Sequence, residues 1–369
     1  MHLCQLNVCV TCGISDVLDE FSSGAAPRFV LGETLLSWVM RGLAHNRLRN
    51  PHLFREAINR GLSIPKRVVP GIVESWPFPE FEDIEFDCAT ELFKVMRGTY
   101  GTDGVLLQQL FASRQSRLLH IHYRHAYCST CLKESMRRTG FPIWRQSWCY
   151  TTSAYCVEHQ RVLVRPRDTF TPERRIWDAY LYSREERPVK HSLFDRRMAG
   201  ITIRVQQWIE SLVVGQALNE GVETLYGLLL AKRTVFAPGG IASAGFSRTQ
   251  QPLCKVNLNL HERIVFGLND SDPYQRMGAL LLIGWVSGMV SQAEIVYLGR
   301  HDYCVRRTLP PSPQQFGRLV SLALSPVDVM VVRESLVKLG AISSTMMSSF
   351  LEGLDEATSR SLRSSRPKR

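Results

Sequence analysis

Tyr127-Cys128-Ser129-Thr130-Cys131, followed after a 24-residue spacer by Cys156-Val157-Glu158-His159, is the stretch on which the fold of this chain turns. Two thiolates separated by two residues can hold one Zn2+ ion from a single turn, and a second such knuckle supplies the remaining corners of the tetrahedron that zinc prefers. A redox pair at Cys128 and Cys131 would need a thioredoxin-like strand-helix-strand context, which is not visible, and would leave the second knuckle unexplained. Four protein ligands, Cys128, Cys131, Cys156 and His159, close the site, so the zinc it implies is structural and not catalytic. The spacer carries Phe141-Pro142-Ile143-Trp144-Arg145-Gln146-Ser147-Trp148-Cys149-Tyr150. Its aromatic content predicts a short strand pair whose core is too small to fold without metal, giving a zinc ribbon.

Neighbouring candidates add little to this site. His120, His122 and His125 precede the first knuckle, but the four positions are filled without them, and they read as satisfied or exposed histidines on a strand or turn. Cys4, Cys9 and Cys12 lack a nearby fourth ligand, which leaves metal binding there open. Cys88, Cys149, Cys254 and Cys304 are isolated and read as small buried apolar residues. The carboxylates Glu80, Glu82, Asp83, Glu85 and Asp87 form a Pro-bounded, solvated run. The G-x-x-x-x-G-K-[ST], G-x-S-x-G and H-E-x-x-H patterns do not occur, and nothing in the chain argues for catalysis.

Outward from the knuckles the text is helical. Apolar residues at Leu35, Leu36, Val39, Met40 and Leu43 mark a helix that begins at Thr34. Asn50 and Pro51 open a second, while Asp87 and Asp103 cap two more. Residues 30–118 therefore read as a helical, helix-turn-helix-like unit, preceded by a peripheral segment 1–29. A zinc-ribbon domain spans 119–195. Beyond it, 196–357 form a helical C-terminal region, with helices expected over 201–232, 272–288, 313–324 and 325–340 and a Gly/Ser/Gln-rich break at 237–257. Residues 358–369 read as a basic disordered tail. The fold class is thus mainly α with a small zinc-ribbon β element.

The net charge of +11 is unevenly placed. Residues 121–210 hold 16 Lys and Arg against 9 Asp and Glu, whereas residues 1–120 hold 12 against 13. Clustered basic residues are the electrostatic footprint of a polyanion such as DNA. Lys133, Arg137, Arg138 and Arg145 sit beside the first knuckle in the basic segment and are the candidate DNA contacts, suited to phosphate more than to base readout. Their competing role is a solvated helix face with Glu134 as partner. The longest stretch free of charged and strongly polar side chains, 277–290, is too short to cross a bilayer, for which about 18–20 residues are needed. The N-terminus lacks the basic start and apolar run of a secretory signal, so a cytoplasmic protein is expected.

Two stretches together resemble the TniQ family of transposition target-selection proteins related to TnsD. The first is Gly32-Glu33-Thr34-Leu35-Leu36-Ser37-Trp38-Val39-Met40-Arg41, similar to the family's G-E-S-L-x-S-W-L-x-R. The second runs from the first knuckle through Trp144-Arg145-Gln146-Ser147-Trp148 to Cys156-Val157-Glu158-His159 and Leu163. The family commonly has Pro after the first cysteine of each knuckle, where this chain has Ser129 and Val157. The resemblance covers about residues 30–165 and implies a non-catalytic, DNA-associated adaptor that marks a target site and recruits the AAA+ ATPase of the transposition machinery. A transposase, an RNA-guided complex and a second copy of the chain are further candidate partners. The residues leave three other readings open. These are a zinc-stabilised transcriptional regulator, a metal-dependent nuclease or other hydrolase, and a protein-only scaffold.

Overall fold

A computed structural model describes residues 30, 32–34, 37, 117–166, 175–186, 192–212, 217–246, 253–337 and 345–364. The expectations for segment 1–29, for nearly all of the unit 30–118, for Cys4, Cys9, Cys12 and Cys88, and for the acidic run 80–87 lie outside these residues.

Among the described residues the protein is mostly helical, with one two-stranded sheet. In chain order the helices are α1 (Ser129–Thr139), α2 (Arg175–Glu185), α3 (Leu193–Ser211), α4 (Ala217–Leu230), α5 (Ile241–Gly245) and α6 (Leu260–Asp270). They continue with α7 (Pro273–Val286), α8 (Gln292–His301), α9 (Tyr303–Thr308), α10 (Pro313–Ser321), α11 (Pro326–Val337) and α12 (Thr345–Ser364). Strands β1 (Tyr155–Cys156) and β2 (Arg161–Val162) pair antiparallel, with Tyr155 opposite Val162 and Cys156 opposite Arg161. No helix of the described residues is long and apolar enough to cross a membrane.

The chain forms two compact units. The first comprises residues 1–116, 120–149 and 164–188; the second comprises 117–119, 150–163 and 189–369.

In the first unit α1 and α2 pack over an aromatic core. Trp144 and Trp148 are fully buried and meet edge to face at 5.3 Å, and Phe141 meets Trp177 in the same way at 5.0 Å. Such pairs contribute about 0.5–1.5 kcal/mol each beyond their burial. The aromatic spacer thus forms a core with a 3-10 turn at Gln146–Trp148, and not the strand pair expected of it. The physical reason is close at hand: the backbone around Trp144 bonds to residues 32–37 instead of to a neighbouring spacer strand. Thr34 N–H donates to the Trp144 carbonyl (3.0 Å), Gln146 N–H to the Gly32 carbonyl (2.8 Å), and Trp144 N–H to Ser37 Oγ (3.0 Å).

The second unit is built on α7. Thirteen of its 14 residues are buried, as expected of a helix that is apolar on all sides. Asp272 caps it by accepting from the Tyr274 and Gln275 N–H groups (2.8 and 2.9 Å), and Pro273 occupies the first turn, where its missing N–H costs nothing. Helices α3, α4, α5 and α12 pack around α7. Helices α10 and α12 approach closely because glycines face each other: a Cβ at Gly317 would lie 2.0 Å from the Phe350 carbonyl oxygen, and one at Gly353 would lie 1.9 Å from that of Gln314. The expected helix over 201–232 is two helices, α3 and α4. The basic tail expected from residue 358 is helical through Ser364, since α12 is already nucleated upstream and extension fixes only one residue per hydrogen bond.

Candidate metal centre

Cys128 stands at the N-cap position of α1, with extended backbone angles (φ −100°, ψ 114°), and Cys131 lies in the first turn. A capping position is normally held by Ser, Thr, Asp or Asn, whose oxygen accepts from the helix N–H groups. Here the side chain makes no capping bond. The positive end of the helix dipole instead favours the negative charge of a metal-bound thiolate. Ser129 is the first helical residue, a position that suits the Pro common in the family but does not need it. At its far end α1 stops at Gly140, whose φ of 74° requires a residue without Cβ strain and whose N–H bonds the Met136 carbonyl. Ser135 Oγ then accepts from Ile143 N–H (2.9 Å) and brings the chain back over the helix.

The second knuckle is a hairpin turn. Cys156 ends β1, residues 157–160 reverse the chain, and β2 begins at Arg161; Gln160 takes a positive φ of 49° in this turn. Cys156 Sγ lies 3.6 Å from His159 Nδ1. The three cysteines are buried, His159 is half-buried, and the four ligand atoms all lie within 4.8 Å of one another. Zinc–sulfur and zinc–nitrogen bonds of about 2.3 and 2.0–2.1 Å in a tetrahedron imply S···N and S···S edges of about 3.6 and 3.8 Å. The observed separation fits such an edge, and three thiolates with one imidazole are a donor set suited to Zn2+. All four metal ligands expected from spacing are therefore together in one cluster. The cysteines are all free thiols.

The hairpin, of two residues per strand, is too short to stand alone. Three helices of its own unit hold the segment leading into it. Gln206 on α3 accepts from the Ala154 and Tyr155 N–H groups (3.2 and 3.3 Å). Tyr226 on α4 donates to the Thr151 carbonyl (2.8 Å). Arg276 on α7, buried to 1% exposure, reaches the carbonyls of Ser153 and Tyr150 (3.4 and 3.5 Å) while Ser271 accepts its other N–H groups. Tyr155 OH also donates to Met277 Sδ (3.4 Å). Sequence reasoning missed these supports. One signal was available: Arg276 is the only charged residue within α7, and a buried cation must find acceptors.

Beside the first knuckle, Tyr127 and Val164 exchange backbone hydrogen bonds (3.0 and 2.7 Å). The Tyr127 phenol donates to Glu186 (3.3 Å), and burial first, then the Glu186 carboxylate, raise its pKa above the usual range. It stays a protonated donor. The guanidinium of Arg175 lies 5.1 Å over the Trp144 ring, and burial pushes its pKa down to about 9. Glu33, fully buried, accepts from Ser37 Oγ (3.1 Å) and Val30 N–H (3.3 Å), while Gln146 Nε2 donates to its carbonyl (3.0 Å). The residues around Glu33 and the Trp144–Trp148 stretch are thereby parts of one structural unit.

His120 and His122 are exposed around a 3-10 turn at Ile121–Tyr123; His125 is buried, with Nε2 against the His122 carbonyl, and burial lowers its pKa. Cys149 is buried as expected, whereas Cys254 is only half-buried, because it lies in an edge bridge with Thr234 and not in the core. Of the candidate DNA contacts, Arg137 and Arg138 are exposed in the last turn of α1 and Lys133 is half-buried one turn earlier. Arg138 approaches Glu134 at 3.9 Å. Arg145 stands apart from them, half-buried, its backbone bridged to Glu33.

The protein is mostly helical among the described residues, and its three cysteines and one histidine from the two knuckles form a cluster that could hold a metal ion. Residues 25–163 match the family model TniQ, a family associated with transposition, so that stretch of the chain is similar to TniQ proteins. No curated protein and no solved structure gives a significant match.

Proposed function

We propose that this protein is a non-catalytic, DNA-associated adaptor of a DNA transposition system, holding one structural Zn2+ at Cys128, Cys131, Cys156 and His159. It takes part in target-site selection and recruits an AAA+ ATPase, which brings the transposase. The observation that carries this reading is the TniQ match over residues 25–163, which contains all four members of the metal cluster. Four protein ligands leave no open coordination position for a substrate or an activated water, which speaks against metal-assisted hydrolysis. Lys133, Arg137, Arg138 and Arg145 would contact phosphates. The protein acts in the cytoplasm, where thiols stay reduced and available to zinc.

The test is to combine the purified protein with an AAA+ ATPase of a transposition system and target DNA, and to follow ATP hydrolysis and complex formation. Stimulation or capture that depends on this protein is expected. DNA binding without any effect on the ATPase would favour the zinc-stabilised transcriptional regulator, which needs no such partner.

A further inference from the structure

We propose that the second unit carries a nucleic-acid-backbone-binding surface of its own, on α3, α8 and α9, with Arg196, Arg197, Arg300 and Arg306 as its cations. These residues lie outside the TniQ match, so the inference does not rest on the family. All four are exposed. None has a carboxylate partner among the described residues, unlike Arg204, Arg318 and Arg333, which pair with Glu294, Glu356 and Asp355. The acids of the same three-helix region are engaged in the fold. Asp195 accepts from Ser192 N–H and Oγ (both 2.8 Å), and Glu294 accepts from Ser291 N–H (2.8 Å). Asp302 caps α9 through Val305 N–H (2.9 Å) and accepts from Tyr274 OH (2.9 Å).

An aromatic stack fixes the geometry. Tyr297 and His301, one turn apart on α8, have ring centroids 4.3 Å apart, and Phe194 of α3 stacks on His301 at 5.9 Å with planes 19° apart. The Arg197 guanidinium lies 4.1 Å over the Tyr297 ring. A stacked guanidinium loses rotamer freedom but keeps its in-plane N–H donors, the arrangement that suits phosphate oxygens. Arg300 stands in the last turn of α8, next to His301 in the chain. Helix α9 lies alongside, with the Arg306 Cα 3.7 Å from where a Cβ at Gly299 would stand. Tyr297 is occupied by Arg197 and His301, so bases do not gain a stacking platform on it. The surface therefore fits the phosphodiester backbone without sequence readout.

The test uses the full chain and measures fluorescence anisotropy on a 30-base-pair duplex, on single-stranded DNA and RNA of equal length, and on polyglutamate, over a range of salt. The R196E/R300E/R306E variant is expected to lower the slope of log affinity against log salt by about 2–3, near 0.9 per lost phosphate contact, and to weaken binding at least about tenfold. Zinc content and helicity should be unchanged, and R196Q/R300Q/R306Q should show a smaller loss in the same direction. Should the reversal variant fail to fold, the glutamine variant decides. The nucleic acid that loses most identifies the source of the phosphates. An unchanged slope on every nucleic acid, or a loss confined to polyglutamate, overturns the proposal. R137E/R138E, measured in parallel, reads the first-knuckle footprint separately, so either surface can fail without the other.

Discussion

At Cys156 the sulfur sits 3.6 Å from His159 Nδ1 at the end of a strand only two residues long, so a metal bound there would hold this turn closed. Cys156→Ser should release the metal and destabilise the protein by at least about 3 kcal/mol, read as loss of zinc on gel filtration and a lower thermal midpoint. Retention of both would contradict a structural role. Glu210 offers a second residue-scale check. Burial raises its pKa from 4.5 to about 7, against the opposing effects of Gln206 and Arg117. The folded protein then holds a proton that the unfolded chain gives up between those values. The resulting stability is fully present below pH 4.5 and is lost as the pH rises through about 7. Glu210→Gln should flatten this part of the pH–stability curve, by an amount on the order of 2 kcal/mol across the range. A curve that keeps its slope between pH 5.5 and 8 in the variant would place the titration elsewhere.

At the scale of elements, the hairpin β1–β2 owes its position to α3, α4 and α7 through Gln206, Tyr226 and Arg276. Arg276→Met keeps the volume but removes the guanidinium that donates to the Ser153 and Tyr150 carbonyls. It should cost about 2–4 kcal/mol and speed zinc transfer to a chelator, although no ligand is touched. Zinc release as slow as in the unaltered protein would mean that the turn stands without α7. The Cys/His cluster and α7 were legible in the sequence because their signals are local: a two-residue spacing, and an apolar run behind Asp272-Pro273. The spacer was not. Its aromatics suit a strand and a helical core equally well, and the choice was made by hydrogen bonds to Gly32, Thr34 and Ser37, more than 100 residues away in the chain. The break between α3 and α4 was hidden for a similar reason, since apolar residues continue through Leu212, Val213 and Val214 without a Gly or Pro stop before Gly215.

On the scale of the whole molecule, residues 32–37 and the Trp144–Trp148 stretch, which carry the resemblance to the TniQ family, meet around Trp144, and the candidate metal ligands of the two knuckles form one cluster. The large apolar core of α3–α12 involves none of the metal ligands. Chelation should accordingly unfold the knuckles while most far-UV helical signal persists; complete loss of helicity on metal removal would show that the helical core depends on the site. The central claim is a closed zinc centre with three sulfurs and one nitrogen. It is tested most directly by elemental analysis with X-ray absorption on the purified full chain. The account predicts one zinc per chain, with three sulfurs at about 2.3 Å and one nitrogen at about 2.0–2.1 Å. Absence of zinc, or a metal shell completed by water oxygen, would contradict it.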